Sequence, residues 1–515
     1  MIRRGLLAML GGLIGATSAQ AEWLEARSRH FVLYADANER TVRQQAELLE
    51  RVDEGLRRFM GVADEPEIES RKVTVFMVSD RTIAKLCQCS DVAGFYLSRV
   101  SGSIAYAGTG GWSGSSFGRI VLFHEYAHHF LLGSYDQAFP SWYSEGFAEF
   151  ASTMRIGDDG VTIGHAAQHR ALGLHLSEGI TVAEILDPAR HAQTGNSMQS
   201  EIYYARGWLM THYMTFNPER RAQFGRYIAA VNDGTPALDA ARGAFGDLDA
   251  LNKEVSAYLR RKRIPGLTVP FGNVAAPPVA IRKLSRGESA LIDLRMTSVR
   301  GVDEEDARAL YAKAAPIAAR HPDDVTVQGW FAEMAFDAGQ YDVAEAAAAR
   351  VIALDPSSVQ GLLYRARVQL RRLQDTASTD AKAWDAARAS VIAANRADPD
   401  DAEPLWWFWR SFELEGRTPT ASAFKALYRA QELAPQDEGV RFTAGRERIK
   451  ANQMTEAKAL LRPLAYNPHI AADNPASQMI AAIEAGKTGA AVIAAGEEAE
   501  RKLAEQATAA ATEQD

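Results

Sequence analysis

Residues 120–149 constrain this chain more than any other stretch. Ile-Val-Leu-Phe-His-Glu-Tyr-Ala-His-His-Phe is followed, after a short break, by Pro-Ser-Trp-Tyr-Ser-Glu-Gly-Phe-Ala-Glu. The first run is apolar enough for a buried helix, and His124 and His128 lie four apart on it, so both imidazoles leave the same face. Glu125 sits about 100° around the axis from His124, close enough to reach a metal-held water without ligating the metal. Two imidazoles at this spacing with an intervening glutamate form a zinc-type ligand pair with a general base, but catalytic zinc takes three protein ligands and keeps a fourth position open. A second predicted helix over 141–155, entered through Pro140 and Ser141, supplies Glu145 and Glu149, again four apart. One should ligate while the other hydrogen-bonds a ligand histidine. Gly146 removes a side chain where two helices must approach, which favours Glu145 as ligand and Glu149 as orienting partner over the reverse. Trp142, Phe147 and Phe150 around them argue against an ordinary solvated face.

The chain has 515 residues, too many for one core, and 47% hydrophobic with 24% charged side chains fits ordinary globular domains. Its first 21 residues stand apart: Arg3 and Arg4, an apolar run from Gly5 to Ala16, then Ala19-Gln20-Ala21. That pattern predicts a secretory signal peptide and hence an exported protein, periplasmic or secreted. The run is too short to cross a bilayer comfortably, so no stable membrane span is expected after cleavage. Without Arg3 and Arg4 there are 55 basic against 65 acidic side chains. With no basic block, nucleic acid and anionic lipid are excluded as expected partners. Cys87 and Cys89 are the only cysteines. A pair across one residue would close a strained loop, and a single Cys-x-Cys points to a structural or incidental role rather than a metal site.

Taken in order, Glu22 to Asp36 reads as one or two strands, residues 38–60 as an amphipathic helix ending at Gly61, and Lys72 to Val78 as an inner strand. A short helix around 80–88 precedes two strand-like pieces over 94–107, the second being Gly102-Ser-Ile-Ala-Tyr-Ala. A glycine-rich stretch, 108–114, is expected as a mobile loop before the His124 helix. A helical region continues to about Arg263. The fold class is therefore α+β, a small mixed sheet over an active-site helix followed by a helical subdomain, spanning 22–263. Residues 264–300, with four prolines and β-like runs at Val279-Ala-Ile-Arg and Ala290-Leu-Ile-Asp-Leu, read as a β-containing connector. Beyond it, His321-Pro322, Asp355-Pro356, Asp398-Pro399, Ala434-Pro435 and Asn467-Pro468 recur at 34, 43, 36 and 33 residues. The recurrence resembles the tetratricopeptide repeat, with the longer interval placed at an insertion near 374–382, and predicts an all-α solenoid over 301–490. Residues 491–515 read as a capping helix fraying into a disordered tail. Trp406-Trp407-Phe408-Trp409 is expected to serve packing between repeats rather than binding.

His124-Glu125-x-x-His128 with Trp142-x-x-Glu145-Gly146-Phe147-Ala148-Glu149 resembles the gluzincin metallopeptidases, in particular the aminopeptidase N and leukotriene hydrolase branch and bacterial peptidase MA-like proteins. The resemblance spans roughly 22–262 and is concentrated in 120–150. It implies a zincin-type domain holding one zinc ion on His124, His128 and Glu145, with Glu149 behind a ligand histidine and Glu125 as acid–base. Tyr204-Ala205-Arg206-Gly207 is similar to that branch's Tyr-x-Lys-Gly, which implies a catalytic role for Tyr204 at the oxyanion; adjacent Tyr203 is the competing choice. The branch's aminopeptidases carry Gly-x-Met-Glu-Asn on the strand before the zinc helix, its glutamate binding the substrate amine. Here Gly102-Ser-Ile-Ala-Tyr-Ala stands in the place that the resemblance assigns to the sheet's edge strand and has no carboxylate. This departure disfavours an aminopeptidase and leaves an edge on which an extended peptide pairs, so an endopeptidase acting on peptide or protein is expected, with the repeats docking substrate or a protein partner. The competing reading is a repeat-based scaffold whose peptidase-like domain binds peptide or cell-wall material without cleavage. His129 is expected to pack away from the site. His165, His169 and His175 could suggest a second metal, but no acidic or cysteine partner lies at ligand spacing.

Overall fold

The computed structural model describes residues 22–64, 68–89, 93–109, 117–188, 197–272, 278–467, 471 and 473–512. The predicted signal peptide, residues 110–114 of the stretch expected as a mobile loop, and the last three residues of the predicted tail lie outside this set; Gly108 ends a strand.

The first part is built as β1 (Trp23–Arg27), β2 (Phe31–Asp36), α1 (Glu39–Met60), β3 (Val73–Val78), α2 (Asp80–Cys87), β4 (Gly94–Leu97), β5 (Ser103–Gly108), α3 (Phe117–Ser134) and α4 (Ser141–Ser152). A small three-stranded sheet follows from β6 (Arg155–Ile156), β7 (Gly160–Ile163) and β8 (Leu267–Pro270), and β9 (Ala280–Lys283) completes the strands described. Between β7 and β8 run α5 (Ala171–Leu176), α6 (Val182–Leu186), α7 (Ser197–Phe216), α8 (Pro218–Asn232), α9 (Ala237–Phe245) and α10 (Leu248–Leu259). The main sheet has the order β4-β5-β3-β2-β1-β9. Its β5–β3 and β3–β2 pairs are parallel and the rest antiparallel, so it is mixed as expected.

The central strands β2, β3 and β5 are buried on both faces, which is why they read as near-continuous apolar runs. Phe31, Leu33, Val73, Val75, Ala105 and Ala107 point to the inner face, against Leu49 and Val52 of α1 and Phe123 of α3. The alternate residues Tyr34, Phe76 and Tyr106 join Phe95 in a stacked aromatic ladder across four strands, with ring centroids 5.2, 5.4 and 4.6 Å apart. The helices that cover this outer face come from the C-terminal part of the chain. Leu291, Ile292 and Met296 of α11 (Arg286–Arg300), Leu310 of α12 (Glu304–Ala318) and Trp330 of α13 (Val325–Asp337) share one core with the ladder, and the Tyr106 hydroxyl donates to the Met296 carbonyl at 2.6 Å.

Three expectations change. Ala290–Leu294, read as β-like, lies inside α11. Ser285 and Glu288 form a reciprocal capping box, and Leu291, Ile292 and Met296 fall at helical rather than strand spacing. The stretch over 264–300 is built into the body, with β8 in one sheet, β9 beside β1 in the other and α11 across the face. Gly102–Ala107 is not the sheet edge either: β4 folds back antiparallel outside β5, so the edge strand is Gly94–Leu97. Cys87 and Cys89 are disulfide-bonded at the end of α2.

The C-terminal part is a helical-hairpin solenoid, as expected. After α13 come α14 (Tyr341–Leu354), α15 (Val359–Asp375), α16 (Ala381–Ala397), α17 (Ala402–Glu415), α18 (Ala421–Leu433), α19 (Glu438–Lys450), α20 (Met454–Ala465), α21 (Pro475–Glu484) and α22 (Ala490–Thr512). The long interval comes partly from α15 and α16, 17 residues each against 13 and 14 in α13 and α14. Trp409 is buried and stacks on Trp406 at 5.3 Å, while Trp407 packs beside Arg367 of the preceding hairpin at 4.9 Å, as repeat packing requires. Far hairpins return to the first part: Arg71 donates to the Glu432 and Leu433 carbonyls at the C-terminal end of α18, where a cation meets the negative end of the helix dipole, and Ser141 Oγ donates to the Tyr466 carbonyl at 3.2 Å. Among the described residues no helix is long and apolar enough to cross a membrane.

Between the sheet's outer face and helices α13, α15 and α17 lies a cavity of about 720 Å³, lined by Tyr34 and Phe76 on one side and Glu333, Arg367, Asp401 and Glu403 on the other. Burial first, and the nearby Glu403 charge second, push the Asp401 carboxyl up to about 7. A carboxyl raised in the folded state favours folding while protonated, and that contribution is lost as pH rises from the unfolded value through about 7. Asp401 also caps α17 through the Glu403 amide, a role asparagine keeps. Asp401→Asn is therefore expected to stabilise the protein at pH 8 by on the order of 1–3 kcal/mol and to do nothing below about pH 4, read from denaturant midpoints at both pH values.

Candidate metal centre and cleft

Helix α3 carries His124 and His128 on its cleft side, and α4 crosses it with Glu145. His124 Nε2 and His128 Nε2 are 3.2 Å apart, and the Glu145 carboxylate lies 3.3 and 3.6 Å from them. One ligand atom from each of the three falls within 4.8 Å of the others. This is the one such cluster of histidine, cysteine and carboxylate groups among the described residues. Glu145 is fully buried, and two imidazoles with one carboxylate form a donor set that catalytic zinc accepts. The three residues therefore fit a metal ion chemically and spatially.

Each histidine is oriented through its other nitrogen. His124 Nδ1 is 3.1 Å from Glu149, and His128 Nδ1 is 3.4 Å from Ser144 Oγ. Glu149, 1% exposed, also takes His169 Nε2 at 2.7 Å and Arg170 Nη2 at 2.7 Å. Burial works against its charge, but the bonds from His124, His169 and Arg170 more than compensate and hold the carboxyl well below its usual range. Arg170 also pairs with Glu201, and its guanidinium lies 5.3 Å over the Tyr204 ring.

The two tyrosines separate cleanly. Tyr203 is core, 1% exposed. Tyr204 is half-buried, with its ring centroid 6.3 Å from that of His124. The Glu145 charge first and burial second push the Tyr204 phenol above its usual value, so it stays a hydrogen-bond donor at neutral pH. Glu125 is half-buried and lines an open cavity with His128. His129 turns away, with Nδ1 2.8 Å from the Tyr96 hydroxyl, and burial lowers its imidazole to about 3; it ties the edge strand to α3.

Sequence reasoning missed the clamp on Glu149. Spacing along the chain groups His169 with His165 and His175, whereas its partner lies 20 residues earlier and meets it through the fold. Arg170 and Glu201 belong to no motif; a buried carboxylate that needs more than one donor was the available signal. The role read for Gly146 is also corrected. Its close approach is to α7, not to α3: a Cβ there would lie 2.4 Å from the Gly207 carbonyl oxygen and 2.5 Å from Thr211 Oγ1. The glycine pair lets the Glu145 helix lie directly on the Tyr204 helix.

No protein-family model matches the chain, and no curated protein matches it. Solved structures similar to part of it include a thermophilic TPR protein of Thermus thermophilus, 17% identical over 35% of this chain and 93% of that one, with a TM-score of 0.30. MamA 41-end from Desulfovibrio magneticus RS-1 is 12% identical over 35% of this chain and 96% of that one, with a TM-score of 0.26. The solenoid stands on its own helix pairs rather than on these scores.

Gly146→Ala forces α4 and α7 apart at backbone atoms that cannot rotate away. It is expected to cost about 2–4 kcal/mol in a denaturant melt, whereas Gly133→Ala, where a Cβ meets nothing within 4 Å, leaves the midpoint unchanged or higher.

Proposed function

We propose that the chain is an exported zinc-dependent peptidase that cleaves within polypeptides, with His124, His128 and Glu145 as metal ligands. The observation that carries this reading is the convergence of those three ligand atoms within 4.8 Å, beside a cavity that Glu125 also lines. Zinc bound there supplies Lewis acidity and makes water acidic enough to ionise near neutral pH. Glu125, outside the ligand set but on the same cleft wall, accepts the proton from the attacking water and returns it to the leaving amine. Tyr204, held under Arg170 and kept as a phenol, donates to the oxygen that gains charge. Glu149 keeps the His124 tautomer that presents Nε2 inward.

Two features favour cleavage inside a chain over removal of a terminal residue. No carboxylate lies on β4 or on Ser103–Gly108 of β5. The carboxylate that does reach the cavity besides Glu125 is Glu438 of the solenoid, and it is engaged by Asn467 Nδ2 at 2.5 Å. Among the described residues no strand pairs with the outer edge of β4, whose Phe95, Tyr96 and Leu97 line the same cavity, and an extended peptide adds there as a further strand. The export reading rests on the first 21 residues and accords with the Cys87–Cys89 disulfide.

A second reading, a repeat scaffold whose first domain holds peptide or cell-wall material uncut, draws on the solenoid, since stacked helical hairpins generally serve protein–protein contact. Glu125→Gln separates the two. In the peptidase it keeps the metal ligands and lowers kcat for a polypeptide substrate by at least about 10²–10⁴. Equal cleavage by both proteins sinks the Glu125 mechanism, and no cleavage by the zinc-loaded wild type across a broad peptide library leaves the scaffold reading standing.

A further inference from the structure

The cavity lined by Glu125 and His128 has a volume of about 450 Å³, within the range of roughly 300–1,000 Å³ usual for small-ligand sites. Apart from those two groups its walls are mainly apolar. Leu131 and Leu132, three and four residues beyond His128, continue the cleft face of α3. Tyr96 and Leu97 come from the edge strand and Phe139 from the segment before α4. The far wall does not belong to the first domain at all: Pro463 and Tyr466 of the solenoid close it.

The charged groups at this boundary are tied back by hydrogen bonds to neutral groups of the fold. Glu438 accepts from Asn467 at 2.5 Å, and Arg99 donates to the Arg300 carbonyl at 2.9 Å. The far wall is also fixed in place rather than loosely apposed. The Tyr466 carbonyl accepts from Ser141 Oγ, at the first residue of the helix that carries Glu145, and Arg441 of α19 donates to the Leu132 carbonyl at 3.4 Å.

We propose that this cavity is a specificity pocket for a bulky apolar or aromatic side chain next to the scissile bond, and that the solenoid, through Tyr466 and Pro463, sets its depth. The proposal rests on the peptidase reading and adds the substrate class to it. A peptide lying along β4 sends alternate side chains away from the strand, and the one beside Glu125 and His128 meets aromatic and aliphatic walls, with Glu438 and Arg99 held back by hydrogen bonds within the fold. The solenoid then acts on the substrate directly, as part of the cleft, instead of as a detached docking arm.

The test uses the full-length zinc-loaded protein and internally quenched peptides that differ only at the residues flanking the cleaved bond, with Phe, Leu, Ala or Asp in turn. The expected result is a kcat/KM for Phe or Leu about 10–200 times that for Ala, with Asp lower still. Tyr466→Ala is expected to shrink that preference about tenfold, and Tyr466→Trp, which fills the pocket while keeping an aromatic wall, to move the optimum towards smaller apolar residues. The same peptides are titrated into Glu125→Gln by fluorescence anisotropy, so the pocket is read without turnover. Tighter binding of Phe and Leu peptides that Tyr466→Trp weakens supports the pocket even if the wild type cuts nothing, in which case the peptidase reading alone fails. Affinities independent of the flanking residue, or a preference that both Tyr466 variants leave intact, overturn the pocket whether or not cleavage occurs. Thermal melts of each variant exclude misfolding as the cause, and the Trp variant decides if the Ala variant does not fold.

Discussion

A buried carboxylate holds the candidate site together. Glu149 sits at 1% exposure with His124, His169 and Arg170 around it, and a charge so placed persists only if its donors are supplied. Those donors come from α3 and from the turn before α5, and Arg170 extends the network to Glu201 and Tyr204 on α7. Removing one partner of such a buried network costs about 3–5 kcal/mol because the remaining charge stays buried. One residue thus fixes the face of His124, the position of the Tyr204 ring and the packing of three segments remote in sequence.

A second constraint joins the two parts of the chain. A sheet that lies inside this molecule must have both faces covered, and α1 and α3 cover one. The other carries the stacked ladder of Tyr34, Phe76, Tyr106 and Phe95, and it is the start of the solenoid that buries it. Helices α13, α15 and α17 face the chain's own sheet across a polar cavity. The further hairpins then reach the cleft itself through Tyr466 and Arg441. The solenoid is in this sense an internal partner of the first domain, and any external partner has to use surface left over from that contact.

Much of this was legible in the residues, for physical reasons that also mark where legibility ends. The His124/His128 pair, Glu145 and Glu149 follow from helical periodicity, which is local, and the geometry brings together the ligand set read from it. The helix pairs of the solenoid follow from the recurrent turns. Apart from the run at 290–294, what escaped was nonlocal. The pairing of β4 outside β5 is a choice between two short strands that period alone does not make. The run at 290–294 is apolar enough for either structure, and the capping box at Ser285 and Glu288 decides it. His169, Arg170 and Glu201 reach Glu149 or its neighbours only after α5 and α7 have packed. The close partner of Gly146 is Gly207, a contact 61 residues away that no motif announces.

The most direct measurement of the central claim is an anomalous diffraction experiment at the zinc absorption edge on crystals of the full-length protein grown with one equivalent of zinc. A single peak is expected, bounded by His124 Nε2, His128 Nε2 and a Glu145 oxygen, with Glu149 still on His124 Nδ1. Density at another site, or none between these three side chains at full zinc loading, would contradict it.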